Sequence, residues 1–117
     1  MPQTISMIML GVGDANKAVA FYRDTLGFEL TTRFEGFAFF KAGGVTLALN
    51  EGLARAVPNR NGAVEIILPR DSVRAAHTAL AADGVKFMKP PHEVSPGQWA
   101  ASFTDPDGHI LTLFGPA

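Results

Sequence analysis

Residues Asp14–Leu30 read DANKAVAFYRDTLGFEL, and this stretch decides the fold because its plan occurs twice in the chain. It follows an apolar run, Ile5–Leu10 (ISMIML), and leads into an extended segment. Later the order recurs: Ala63–Leu68 (AVEIIL), a polar break, Ser72–Ala82 (SVRAAHTALAA), then Asp83-Gly84-Val85-Lys86-Phe87. Setting Asp14 against Ser72 puts Met7 opposite Glu65, Ala18 opposite Ala76 and Tyr22 opposite Leu80. Identity between the copies is low, but the pattern agrees through the whole unit. Self-similarity of this kind is the sequence signature of a duplicated architecture.

Within the first copy, Ile5–Leu10 is too short and too apolar for a surface helix and predicts a buried strand ending at Gly11-Val-Gly13. Asp14 stands where an N-cap belongs, its carboxylate placed to accept from the free amides of a first helical turn. Ala15, Ala18, Val19, Tyr22 and Leu26 follow at spacings of three and four, one apolar stripe of a helix. Gly27 closes that helix, as a residue tolerant of the left-handed conformation can.

After Gly27 the period becomes two. Strands are predicted over Phe28–Phe34, Phe37–Lys41 and Val45–Asn50, with a turn at Ala42-Gly43-Gly44. Pairing Phe40 with Val45 sends Phe40, Leu47 and Leu49 to one face, suited to packing on the helix. Phe37, Phe39, Thr46, Ala48 and Asn50 take the other face, whose mixture of aromatic and small polar groups suits a cavity. Glu51–Gly62 (EGLARAVPNRNG) has turn chemistry and no clear period, so it reads as a linker.

The second copy predicts a strand at Ala63–Leu68, a helix at Ser72–Ala82 and a strand near Val85–Lys89. Pro90-Pro91 to Pro96-Gly97 reads as loop. Two further strands, Gln98–Thr104 and Ile110–Phe114, are joined by Asp105-Pro-Asp-Gly108, a strong turn signal. The same pairing logic puts Trp99, Ala101, Phe103, Ile110, Thr112 and Phe114 on the cavity side. Ala100, Ser102, Leu111 and Leu113 then face the helix.

At 117 residues, with 47% apolar and 18% charged residues, the chain has the size and composition of one globular domain. The expected division is a single domain, 1–117, made of module one at 1–50, a linker at 51–62 and module two at 63–117. A net charge of −1 gives no electrostatic case for nucleic acid or an anionic membrane. No apolar run approaches the ~20 residues of a span, and no signal segment is evident, so the expectation is a cytoplasmic protein. Cysteine is absent, which removes disulfides and thiolate chemistry together. A βαβββ half of roughly 50–60 residues is marginal alone and leaves one sheet face open. The fold class expected is therefore α+β, two βαβββ modules curling into a mixed sheet, within one chain or between two, with a cleft between them.

The chain resembles the vicinal oxygen chelate superfamily: glyoxalase I, the extradiol dioxygenases and the bleomycin-resistance binding proteins. The resemblance rests on Asp14 with Ala18, Phe21-Tyr22-Arg23-Asp24 and Leu26-Gly27-Phe28. It rests equally on the DPDGH turn, Asp105–His109, followed by Ile110–Phe114. It implies the paired-module fold, with a second chain pairing in a homodimer, but not one activity, because one fold hosts lyases, isomerases, oxygenases and non-catalytic binders. Family enzymes hold a divalent metal from four inward positions, which map here onto Met7, Ala48, Glu65 and Thr112. Only Glu65 is a usual ligand type, and a thioether, a methyl and a hydroxyl complete a poor set for such an ion. The expectation is no metal and no cofactor, with the metal-independent bleomycin-resistance type as the nearer comparison.

Glu65 is the lone charge of an apolar strand. It reads either as a structural carboxylate or as the group that recognises a ligand cation or hydroxyl. As a base it is the only catalytic candidate. The expected ligand-binding set is Met7, Phe37, Phe39, Thr46, Ala48, Asn50, Glu65, Trp99, Phe103 and Thr112. Each aromatic taken singly is most simply core; as a set they suit a wall for flat, apolar molecules. His77, His92 and His109 lack metal-ligand spacing, and Arg55 and Arg60 read as solvated, or as a gate for an acidic ligand. Binding of a small, largely apolar or aromatic molecule leads, in antibiotic sequestration or sensing. The alternatives are a lyase, isomerase or dioxygenase with a degenerate metal site using Glu65, and a dimerising module with a vestigial cleft.

Overall fold

A computed structural model describes residues 2–3, 5–57 and 64–117. Arg60, Ala63 and the second half of the expected linker lie outside the described residues. The chain divides into two compact units, Met1–Arg60 and Asn61–Ala117.

The first unit runs β1 (Met7–Gly11), α1 (Ala15–Val19), a π-helical segment (Ala20–Thr25), β2 (Glu29–Phe34), β3 (Phe37–Ala42), β4 (Val45–Asn50) and α2 (Glu51–Ala56). Its sheet has the order β1-β4-β3-β2, with β1 parallel to β4 and the other pairs antiparallel. Asp14 caps α1 as its position predicts, Oδ1 accepting from the amides of Asn16 at 2.9 Å and Lys17 at 3.3 Å. Ala15, Ala18, Val19 and Tyr22 are the buried stripe. After Val19 the ladder widens, and the Leu26 amide reaches back to the Phe21 carbonyl at 3.0 Å. Composition gives no signal for that change of pitch, so one continuous helix was the sequence expectation. Tyr22, fully buried, sits with its ring centroid 6.0 Å from Phe40 of β3 and 6.1 Å from Phe28. Phe40, Leu47, Leu49 and Leu10 are all buried under this helix.

The expected face assignment of β3 and β4 holds although the pairing is shifted. Phe40 lies opposite Leu47, not Val45, and Ala42 opposite Val45. A two-residue shift preserves the side-chain period of a strand, so every residue keeps its face.

The expected linker is half helix. Asn50 caps α2, its Oδ1 accepting from the Leu53 amide at 3.1 Å. Glu51 ties α2 to the start of α1 by accepting from the Ala15 amide at 2.8 Å. Gly11 lets α2 come close: a Cβ there would stand 2.8 Å from the Ala54 nitrogen. A six-residue helix shows no periodicity to a sequence reader, and this one depends on those tertiary contacts.

The second unit runs β5 (Glu65–Pro69), α3 (Val73–Ala82), β6 (Phe87–Ser95), β7 (Gln98–Thr104) and β8 (Ile110–Gly115), with sheet order β5-β8-β7-β6. Ser72 caps α3, accepting from the Ala75 amide at 3.1 Å. β6 runs straight through Pro90-Pro91, which sequence reading assigns to a loop. The strand tolerates them because it is the sheet edge and its pairing with β7 is interrupted by bulges, so no ladder donor is required there.

The pairing of β7 with β8 corrects the expected faces. Thr104 pairs with Ile110, Ser102 with Thr112 and Phe103 with Leu111. The whole of Asp105–His109 is turn, held by Asp105 Oδ1, which accepts from the amides of Asp107 at 2.9 Å and His109 at 2.8 Å. The expected pairing is therefore off by one residue, and a one-residue slip reverses every side chain of β7. Trp99, Ala101 and Phe103 lie on the helix side; Ala100 and Ser102 lie on the open side with Thr112 and Phe114.

Candidate functional site

Each sheet carries its helix on one face, and the residues of interest lie on the other. In the first unit Met7, Phe37, Phe39, Thr46, Ala48 and Asn50 share that open face, because their strands pair in matching parity. Phe37 and Phe39 are parallel rings, 6.3 Å between centroids with 2° between planes. Phe34, 61% exposed, meets the Phe39 ring edge-on at 6.2 Å and extends the aromatic surface beyond the expected set. Asn50 is engaged on both ends, capping α2 and donating from Nδ2 to the Met9 sulfur at 3.0 Å. Beside this face a groove of about 610 Å³ lies between the β2–β3 turn and α2, lined in part by Glu35, Phe37, Asn50, Glu51 and Arg55.

In the second unit the open face centres on three polar side chains from three strands. The Thr112 hydroxyl donates to Glu65 Oε2 at 2.5 Å, and Ser102 Oγ stands 2.9 Å from Thr112 Oγ1. Ser102 and Thr112 are buried, whereas Glu65 is exposed. The short contact belongs to the range of charge-assisted O–H···O⁻ bonds. Thr112 has one proton and gives it to Glu65, so the proton between the two hydroxyls belongs to Ser102. The bonds thus run in one direction, Ser102 to Thr112 to Glu65. Sequence reading found Glu65 and Thr112 and missed Ser102. Counting all five residues of the Asp105–His109 turn, which Asp105 closes, would have set Ser102 opposite Thr112.

Trp99 and Phe103 do not join this face. The Arg74 guanidinium of α3 lies 4.5 Å from the Trp99 ring centroid. Phe103 is fully buried against Phe87 at 5.2 Å, and Phe87 in turn meets the tilted ring of His77 of α3 at 4.4 Å. Both therefore belong to the helix-side packing. The histidines have local roles: His77 in that aromatic cluster, His92 Nδ1 2.8 Å from the Pro90 carbonyl, and His109 buried in the turn. Arg23 and Asp24 form an exposed ion pair at 2.8 Å. Its hydrogen bond holds the Asp24 carboxyl below the usual range.

The four positions that the family resemblance assigns to a metal are tested by their donors. Ala48 offers none and Met7 a soft thioether. Thr112 has its proton on Glu65 and receives another from Ser102. One carboxylate remains, with one oxygen already accepting. Among the described residues no group of three or more His, Cys, Asp or Glu comes together. Zinc wants several nitrogen, sulfur or carboxylate ligands, and magnesium or manganese several oxygens. These residues do not fit such an ion.

A duplicated βαβββ chain with open sheet faces defines a fold class, and comparison with known proteins agrees. The family model described as the Glyoxalase/Bleomycin resistance protein/Dioxygenase superfamily matches residues 4–113, and the chain belongs to that superfamily. Metallothiol transferase FosB of Staphylococcus haemolyticus is 32% identical over 130 residues, spanning 97% of this chain and 84% of that protein. A glyoxalase/bleomycin resistance protein/dioxygenase from Nocardioides superposes with a TM-score of 0.84 at 29% identity, covering 99% of this chain and 85% of that one. TnmS3, an antibiotic binding protein from a Streptomyces species, superposes with a TM-score of 0.81 at 27% identity, covering 99% and 98%. No helix among the described residues is long and apolar enough to cross a membrane.

Proposed function

We propose that this chain binds a small, largely apolar or aromatic molecule without a metal, in antibiotic sequestration or sensing. The observation that carries the reading is the hydroxyl-bonded Glu65. At the positions where superfamily enzymes hold a metal, the sole carboxylate is committed to Thr112. On its own sheet the open face also carries Ala100 and Phe114, and the open face of the first unit's sheet carries Met7, Phe37, Phe39 and Ala48. Such surfaces bind flat molecules by area burial, with few polar groups to orient them. The likeness to an antibiotic binding protein over nearly the whole of both chains supports the same class. The ligand-binding set in this reading is Met7, Phe37, Phe39, Thr46, Ala48, Asn50, Glu65 and Thr112, and the assembly is a homodimer.

The second reading is an enzyme with Glu65 as base, favoured by the kinship to metallothiol transferases. Equilibrium dialysis of chelator-treated protein against planar aromatic antibiotics separates the two. Saturable binding that added zinc, nickel or manganese leaves unchanged is expected. Binding or turnover that appears only with the metal would overturn the proposal. Light scattering showing a monomer at every concentration would remove the dimer.

A further inference from the structure

Resting on the binding reading above, we infer that the Ser102–Thr112–Glu65 chain makes the second sheet's open face a selector for hydrogen-bond donors. The ligand it takes carries a protonated amine or hydroxyl on its flat apolar body. Thr112 gives its proton to Glu65 Oε2 at 2.5 Å and, 2.9 Å away, can only accept from Ser102. Its hydroxyl is thereby occupied on both sides. Among the described residues neither Glu65 Oε1 nor the Ser102 lone pairs have another partner. What the trio offers a ligand is therefore acceptors only: a carboxylate oxygen and a serine oxygen whose proton points away. An amine or alcohol finds a matching partner. A carbonyl finds no donor there, and a carboxylate or phosphate meets a like charge as well.

Thr112 is in this account a positioning residue. Its bond holds the exposed Glu65 side chain in one orientation, and its acceptance of the Ser102 proton keeps that proton off the ligand. Buried hydroxyls linked in sequence polarise one another, so the orientation is cooperative and not three independent choices. Replacing Thr112 by Val deletes both bonds at nearly constant volume and frees the Ser102 proton to rotate. Replacing it by Ser keeps the hydroxyl.

The test uses the whole chain and three probes with one aromatic body: 2-naphthylmethylammonium, its N,N,N-trimethyl analogue and 2-naphthoate. The ammonium and trimethylammonium ions carry the same charge, but only the first donates. Titration calorimetry should show the ammonium binding about ten- to a hundredfold tighter than either partner, the worth of a hydrogen bond to a charged group. Thr112→Val should remove most of that advantage, Thr112→Ser should restore it, and the trimethylammonium affinity should stay level across all three proteins. Equal binding of ammonium and trimethylammonium ions, a preference for naphthoate, or a loss in Thr112→Val that falls equally on both cations would each overturn the inference while leaving aromatic binding standing. If Thr112→Val does not fold, the probe comparison on the native chain and Thr112→Ser decides. Failure of every probe to bind, 2-methylnaphthalene included, would overturn the binding reading and this inference with it.

Discussion

Thr112 of β8 and Glu65 of β5, 47 positions apart in the chain, are joined by a 2.5 Å hydrogen bond on the open face of the second sheet. Both occupy positions that the family resemblance maps onto a metal site. Here one has become the anchor of the other.

Metal content follows from that bond. Protein purified without chelator should carry far less than one zinc, nickel, iron or manganese per chain by elemental analysis. A near-unit ratio that disappears in Glu65→Ala would show that the carboxylate leaves Thr112 to bind a metal.

The charge of Glu65 should matter to ligands that donate a hydrogen bond, cations most, and hardly at all to purely apolar ones. Glu65→Gln should weaken a planar ammonium ligand by roughly 1.5–3 kcal/mol, the range for hydrogen bonds to charged groups. Because Glu65 is exposed, solvent screening favours the lower end. Calorimetry in which a neutral aromatic loses as much as the cation would assign Glu65 a structural role instead.

Trp99 is the only tryptophan, and its ring lies under Arg74 on the helix side of β7. Its emission should shift in Arg74→Ala, with a stability loss of about 0.5–1 kcal/mol for the cation–π contact. A ligand on the open face should leave the emission nearly unchanged. Strong quenching by such a ligand would put Trp99 back among the binding residues.

Gly115 ends β8 with φ 150°, and a Cβ there would stand 2.1 Å from the Arg70 carbonyl oxygen. Both atoms belong to backbone that cannot step aside cheaply, so Gly115→Ala should destabilise the second unit by at least about 2 kcal/mol. Urea unfolding is the measurement; an unchanged midpoint would mean the β5–α3 connection yields to the methyl group.

Local chemistry was legible where a residue type has one use at one place. Asp14 as a cap, Gly27 as a left-handed stop and the Tyr22 stripe all follow from neighbours in the chain, and the structure repeats them. The open face of the first sheet was legible too, since an error of two residues in pairing Phe40 does not change which side it faces. α2 was not legible, because its existence depends on Asn50, Glu51 and the space at Gly11, which only folding brings together.

The sequence by itself determined the duplicated βαβββ plan, the helix-side core of the first module and the lone carboxylate at Glu65, because periodicity and composition are properties of the chain. Tertiary structure alone decided which face of β7 is open. A strand's two faces differ by one residue of register, and that residue, His109, was counted into the turn by its hydrogen bond to Asp105. From the same decision came Ser102 beside Thr112, the direction of the protons toward Glu65, and the removal of Trp99 and Phe103 to the helix side.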